Sequence, residues 1–404
     1  MADPLRILVA TPFPPRLDGR HGGSRVTAGF VTALARRHRV GLLYLARGEE
    51  DVDDSVRDAC EPIVRCPLPE RPGRLGTLAP LLAGRPRWVT LARSPECGPA
   101  LARLAASFRP DVVQLEFAVM TQYLGALDDL AAPRVLVQHE PAAARAAEDA
   151  SAALGRRRRA RLAARAEERA WRRFEARALG RVDAAVAFRE PDREALRALG
   201  AGTPIHVIPF GLDIPTEPLD PAGSGERETI AFVANFVHTP NVQAARRLVL
   251  DVLPRVRRER PGVEAVLVGR APPPEVASLA GDGATVTGEV PDVKPYLDRA
   301  QVVVVPLGLG GGIRVKVIEA LGAGKAVVAT PLAAAGLPVA DGEHLRIAET
   351  DEELARAAVE LLGDAAARAA LGARARAWAL EHAGWDAAID AYERLYRSLL
   401  EGAR

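Results

Sequence analysis

Short apolar runs, each followed by glycine- or proline-rich punctuation and then by a stretch of helical period, recur along the whole chain. Leu5–Ala10, Arg39–Leu45, Asp111–Phe117, Arg134–Gln138, Val182–Phe188 and Ile205–Pro209 read as strands, and Thr229–Ala234, Val263–Gly269, Ala284–Thr287, Val302–Val305 and Ala326–Thr330 continue the series. Most are continuously apolar rather than alternating, which is the pattern of strands buried on both faces of a parallel sheet. Between them the spacing predicts helices at Val26–Arg37, from Thr239 (N-cap) and Pro240 (N1), at Val293–Arg299, and from a Thr350–Glu353 capping box to Leu362. Helices at Ala365–His382 and Trp385–Leu400 close the chain, and Ile389, Tyr392, Tyr396 and Leu399 give the last one an apolar face that must dock. Residues 50–108 read mostly as helices and loops, and Ala150–Leu179 as one long helix.

Strand, glycine-rich loop, helix, strand is the opening of a doubly wound α/β unit, in which ligands collect at the carboxyl ends of the strands. The stretch from Phe210 to Glu228 carries Gly211, Pro215, Pro218, Pro221, Gly223 and Gly225 and reads as a linker. The expected organisation is therefore a first unit over 1–208, a second over 209–384, and the helix 385–404 packing back on the first. No short tandem repeat is visible.

Composition narrows the class. The 404 residues are 48% apolar and 26% charged with a net charge of +2, so nothing global demands nucleic acid. Apolar runs stay short of the ~20 residues a membrane span needs. The amino-terminal residues pass directly into a strand, with no charged-then-apolar leader expected. Cys60, Cys66 and Cys97 lack metal-like spacing, and no His-x-x-x-His pair suggests zinc. Reduced thiols and a cytoplasmic location are the expectation.

Residues 302–330 concentrate the chemistry. Val302–Val305 feeds Gly308, Gly310, Gly311 and Gly312, and a helix is expected near Ile313 with Ile313, Val317 and Leu321 on one face. Free amides and the positive helix end at such a junction suit phosphate. Arg314 and Lys316 put two cations in a first turn whose dipole disfavours them, which makes sense opposite a dianion. Glu319 follows roughly 9 Å along, at about 1.5 Å per residue, where a carboxylate can accept from two ribose hydroxyls. A surface loop with Lys316 and Glu319 as an i,i+3 pair fits the same spacing. Only Lys294, Lys316 and Lys325 are lysines in this arginine-rich chain, a weak hint that Lys316 and Lys325 are kept for chemistry. At other strand ends, Gly22-Gly23 suits a phosphate, an acceptor or simply a loop, and His139 suits either a ligand role or packing. Arg156–Arg159 and Arg161 form a basic cluster, read as a solvated helix face or as attraction to an anionic membrane surface.

The segment Gly310-Gly-Gly-Ile-Arg-Val-Lys-Val-Ile-Glu-Ala-Leu-Gly-Ala-Gly-Lys-Ala-Val-Val-Ala-Thr330 resembles the branch of the family-4 glycosyltransferases that reads Gly-Gly-x-Arg-x-Lys-x-x-Glu-Ala before Gly-Lys-x-Val-Val. Val233–Asn241, Gly288–Tyr296, the Gly22-Gly23 loop and the Gln138-His139-Glu140 turn are similar to other motifs of that branch. The resemblance implies a GT-B fold, two Rossmann-like doubly wound domains facing across a cleft, and a retaining transfer of sugar from a nucleoside-diphosphate sugar to an acceptor hydroxyl. It implies Glu319 at the ribose, the Gly312 and Ile313 amides with Arg314 and Lys316 at the diphosphate, and Asn235 lining the donor site. It further implies His139 beside the donor sugar, Gly23 near the phosphates, and the turn containing Gly288 and Val290 at the base. No metal or resident cofactor is implied, and the expectation is that no Asp-x-Asp triplet of the metal-dependent type occurs. The expected partners are the nucleotide-sugar and an acceptor saccharide, lipid-linked sugar or aglycone, with peripheral membrane contact at the cytoplasmic face and polysaccharide, glycoconjugate or natural-product glycoside synthesis as settings.

Two departures from the family pattern matter. The commonest signature has two glutamates eight positions apart, and the first position is Gly311 here. The usual Arg and Lys after the first strand of the second unit are replaced by Asn235, His238 and Asn241. A GT-B sugar-nucleotide epimerase, which would carry acid–base carboxylates and histidines around the sugar, is one alternative; the loss at Gly311 keeps open another, from a different class, a catalytically silent nucleotide-sugar-binding partner. Under the transferase reading, Arg314 and Lys316 supply the missing charge.

Overall fold

Two parallel sheets carry the chain. The computed structural model describes it apart from residues 1–2, 18–21, 71–79, 82, 153–157, 226, 282, 310–314 and 403–404. It divides into two compact units, Met1–Gly211 with Trp385–Arg404, and Leu212–Gly384.

In the first unit, β1 (Arg6–Thr11), β2 (Arg39–Ala46), β3 (Ile63–Pro67), β4 (Val112–Glu116), β5 (Arg134–Gln138), β6 (Ala184–Ala187) and β7 (Ile205–Val207) lie in the order β3-β2-β1-β4-β5-β6-β7. The chain winds outward from β1 in one direction, then returns to β4 and winds in the other. The reversal between β1 and β4 is the topological switch point, where strand ends splay and leave a crevice. Ile7, Leu8, Val9 and Ala10 are fully buried, as are Val112 and Val113 on the neighbouring strand. The strand β3 is a departure from the helix-and-loop reading of 50–108. It lies at the sheet edge with one inward residue, Cys66, so it lacks the apolar run of its neighbours.

The single helix expected over Ala150–Leu179 is instead a pair, α2 (Ala142–Ala152) and α3 (Arg158–Leu179), following α1 (Gly22–Ala35). Glu175, near the end of α3, accepts from the amides of Ala142 and Ala143 at the start of α2 at 2.7 and 2.8 Å, so the two helices run back on each other. Alanine and arginine favour helix throughout this stretch, and a reversal of direction leaves no mark in such a pattern. Of the basic cluster, Arg156 and Arg157 fall outside the described residues. The C-terminal helix (Trp385–Gly402) packs on α1, with the Tyr392 and Phe30 rings 4.8 Å apart.

In the second unit, β8 (Thr229–Val233), β9 (Glu264–Val268), β10 (Ala284–Val286), β11 (Val302–Val305), β12 (Ala326–Ala329) and β13 (Arg346–Ile347) take the order β10-β9-β8-β11-β12-β13. Here the switch point lies between β8 and β11. The helix α4 (Thr239–Arg247) follows β8 with His238, not Thr239, at its N-cap and no side-chain cap bond. After β11 comes α5 (Val315–Gly322), whose Val317 and Leu321 are fully buried. The capping box is present, Thr350 accepting from the Glu353 amide and the Glu353 carboxylate from the Thr350 amide.

The stretch that reads as a linker is laid down on the second unit from Leu212 onward. The Leu219 amide donates to the Ala323 carbonyl at 2.9 Å and the Ser224 amide to the Asp298 carbonyl at 3.1 Å. Lys325 belongs to this seam. Its fully buried ammonium donates to the Asp220 carbonyl and, at 3.3 Å, to that of Asp298. It precedes β12, at the opposite end of the strand from the ligand edge, so its role is a strut. Burial pushes the Lys325 ammonium down to about 8.

Candidate functional site

Each switch point gathers some of the residues named from sequence. In the first unit, β4 ends in Glu116 and Phe117, and β5 in Gln138 and His139. The His139 Nε2 meets the Glu116 Oε2 at 2.6 Å, with the two side chains only 9% and 3% exposed. Glu116 Oε1 accepts from the Gln114 amide nitrogen at 2.6 Å, and the Tyr396 hydroxyl of the C-terminal helix donates to the Gln114 carbonyl oxygen. Phe117 stacks on the imidazole at 4.1 Å between centroids, and Phe188 meets it edge-on at 4.8 Å. Gln138 is also pinned. Its carbonyl oxygen accepts from the Ala118 amide at 2.7 Å, and its nitrogen donates to Glu175 at 2.8 Å. The imidazole is thus held at every side but its outer edge.

Phe117 adopts φ 65° and ψ 140°, a conformation costly for an aromatic residue and found where surrounding contacts impose it. The backbone there leaves β4 sharply for a 3₁₀ helix, Ala118–Leu127, and the ring is thrown back over the strand ends. It meets Phe13 and Trp88 edge-to-face at 5.2 and 5.4 Å. Gly23, in the first turn of α1, lies against the same rings. Ser24 fastens the entry loop by donating to the Pro14 carbonyl at 2.7 Å and accepting from the Arg16 amide at 3.1 Å. Gly23 and His139 therefore share one neighbour, Phe117.

In the second unit, Asn235 and Asn241 flank the turn after β8, and Lys316 lies in the first turn of α5 after β11. The Asn241 nitrogen donates to the Asn235 carbonyl at 2.7 Å, and its carbonyl oxygen accepts from the Lys316 ammonium. The ammonium also stands 5.4 Å from the centre of the Phe232 ring, a cation–π contact. These three residues, on segments far apart in sequence, are brought together over the β8–β11 reversal. Glu319 follows Lys316 on α5 and is half-buried. Gly312, Ile313 and Arg314 lie outside the described residues, as does Gly311.

Gly288 and Val290 follow β10. Gly288 has φ 73°, and its carbonyl accepts from the Gly269 amide at 3.2 Å. A Cβ on Gly269 would stand 1.7 Å from the Ala234 carbonyl oxygen, so only glycine fits. Those contacts line up Gly288, Gly269 and Ala234, the residue before Asn235, at the ends of three adjacent strands.

Glu116 and Gln114 are not singled out from sequence, and Tyr396 is read there only as part of the apolar face of the last helix. Their signal is Gln114 and Glu116 at i and i+2 in a run that is otherwise Val-Val-Leu, two polar groups on one strand face that burial obliges to find partners. Asp51 and Asp53 do carry the Asp-x-Asp spacing, a triplet not noticed from sequence. Asp51 accepts from the Tyr44 hydroxyl and Arg57, and Asp53 caps the helix Asp54–Ala59. Both side chains have structural partners.

Comparison with known proteins decides the family. A model described as Glycosyltransferase Family 4 matches residues 20–215, and one described as Glycosyl transferases group 1 matches 227–364. The chain is a glycosyltransferase with the GT-B fold. It is similar over its whole length to sucrose-phosphate synthase from Thermosynechococcus elongatus, at 17% identity and TM-score 0.66, with 98% of this chain and 100% of that one covered. The Anabaena protein HepE, solved with UDP and glucose, aligns at 15% identity and TM-score 0.65, again covering 98% and 100%. A phosphatidyl-myo-inositol mannosyltransferase of Mycolicibacterium smegmatis is 31% identical over 207 residues, which are 49% of this chain and 52% of the relative, so the match spans about half the length of that protein. Among the described residues, no helix is long and apolar enough to cross a membrane.

Proposed function

We propose that this glycosyltransferase moves a hexosyl unit from a nucleoside-diphosphate sugar to an acceptor hydroxyl with retention of anomeric configuration and without a metal ion. The observation that carries the reading is Lys316, held by Asn241 beside Asn235 over the switch point of the second unit. A cation fixed at a strand-to-helix junction suits the diphosphate of a leaving nucleotide, whose negative charge grows as the glycosidic bond breaks. In this reading Gly312, Ile313 and Arg314 join Lys316 at the diphosphate, Glu319 holds the ribose, and Gly288 and Val290 meet the base. His139 and Gly23, in the unit that takes the acceptor, face the donor sugar and its phosphates. HepE, solved with UDP and glucose, supports a nucleotide-sugar donor, and the mannosyltransferase relative supports a lipid-linked acceptor approached at the cytoplasmic membrane face.

Thermal denaturation of the purified protein against UDP, GDP, ADP, CDP and dTDP and their sugars tests the donor class. One nucleotide should raise the Tm, and its sugar should be slowly hydrolysed to the free diphosphate; the anomer first released, read by proton NMR, should match the donor. Binding without hydrolysis would favour the silent partner, and no stabilisation by any nucleotide would end the reading.

A further inference from the structure

We propose that Glu116, Gln114 and Tyr396 are positioning residues that fix which nitrogen of His139 carries the proton, so that the imidazole offers its Nδ1 lone pair, as a hydrogen-bond acceptor, to a substrate hydroxyl. The inference rests on His139 facing substrate, as in the reading above, yet its central claim concerns the free protein.

The directions of the hydrogen bonds carry the argument. The Tyr396 hydroxyl donates to the Gln114 carbonyl oxygen, which turns the Gln114 amide so that its NH2 faces Glu116 at 2.6 Å. An NH2 group only donates, so Glu116 Oε1 accepts. With the carboxyl ionised both of its oxygens only accept, and His139 Nε2, 2.6 Å from Oε2, bears the hydrogen. All four groups are held: Gln114 and Tyr396 are fully buried, Glu116 is 2% exposed, and the imidazole lies between Phe117 and Phe188. The two phenyl rings oppose a turn of the imidazole that would exchange its nitrogens. Among the described residues, Nδ1 has no hydrogen-bond partner.

The C-terminal helix is thereby part of the site, and its Trp385 and Tyr392 line the small cavity that Glu116 and His139 also line. Its Tyr396 is the first donor of a chain that ends at the His139 proton.

Nitrogen-15 NMR of protein labelled at histidine reads the tautomer directly, with no substrate present. Above the imidazole titration, wild type should show a protonated Nε2 and a bare Nδ1 for His139, assigned by its loss in His139→Gln. Glu116→Gln should reverse it: the Gln114 NH2 still faces the first oxygen, so the new amide turns its own NH2 to Nε2, and the proton moves to Nδ1. The same variant should lose about tenfold or more in kcat for donor hydrolysis with little change in KM, and Glu116→Asp should restore the wild-type tautomer and part of the rate. Tyr396→Phe, a single-hydroxyl deletion expected to fold, should keep the wild-type tautomer, because the carboxylate still only accepts; added to Glu116→Gln it should give a mixture, because the Gln114 amide can then turn. A wild-type spectrum with the proton on Nδ1, or a Glu116→Gln spectrum like wild type, overturns the proposal. A reversed tautomer with unchanged hydrolysis would uphold the hydrogen-bond chain and overturn the placement of His139 at substrate.

Discussion

Gly23 lies so close to Phe117 that a Cβ built on it would stand 2.8 Å from the ring's Cζ and 3.1 Å from that of Phe13. Phe117 cannot yield easily, because its other face is stacked on His139. Gly23→Ala should therefore act twice. Overpacking of this kind costs about 1–3 kcal/mol, visible as a lower urea midpoint, and the displaced ring should tilt the imidazole and reduce donor hydrolysis. Gly23→Ala combined with Phe117→Leu should recover most of the stability but not the hydrolysis rate. Full activity in Gly23→Ala alone would show that this contact does not shape the site.

Lys316 is predicted to matter to donor affinity more than to folding. Removing one charge-assisted contact to phosphate costs roughly 1.5–3 kcal/mol, so Lys316→Met should weaken nucleoside-diphosphate binding by about tenfold or more in calorimetric titration. Methionine keeps most of the side chain's length while deleting the ammonium that stands over Phe232. Asn241→Ala removes one partner of the ammonium without deleting it and should give a smaller loss. Equal affinity in Lys316→Met and wild type would move the diphosphate elsewhere.

Much of this arrangement was legible in the sequence, and what was not has physical reasons. Continuous runs such as Val302–Val305 announced strands buried on both faces, and the Thr350–Glu353 box announced a helix start, because both signals are local. The edge strand Ile63–Pro67 gave no such signal, since only Cys66 of it is fully buried. The reversal between α2 and α3 depends on Glu175, a residue distant in sequence from the amides it caps. His139 stood out by its place at a strand end, but its partner Glu116 belongs to the neighbouring strand, and cross-strand pairing is a property of topology. Lys325 shows the opposite error: its rarity suggested chemistry, and its burial against two carbonyls gives it a structural task.

Glu175 makes the stability of the first unit pH-dependent. Burial pushes its carboxyl up to about 7 from an ordinary value of 4.5, against three N–H donors that favour the ionised form. Between pH 4.5 and 7 the native chain thus holds a proton that the unfolded chain has released, so raising the pH through that window lowers stability. Above 7 both states are ionised and the dependence stops. Glu175→Gln stays neutral throughout and loses one acceptor oxygen, so its Tm should be lower at every pH but flatter between pH 5 and 7 than that of wild type. An identical slope in the two proteins would remove Glu175 as the cause.

Trp385 opens the C-terminal helix as a wedge. A Cβ on Gly29 of α1 would stand 2.4 Å from its Cζ2, and one on Gly211 would stand 2.5 Å from its Cα, so glycine on both sides lets the indole seat itself. Trp385→Ala would empty that slot, and large-to-small changes of this size cost about 3–5 kcal/mol. The unfolding midpoint should drop accordingly. Loosening the helix should also free Tyr396 from Gln114, so the damage should reach His139. Hydrogen exchange of the variant at a pH and temperature where it remains folded should show faster exchange across Trp385–Gly402 and at the amides near Glu116. Faster exchange confined to the helix would mean that Glu116 holds its place without Tyr396.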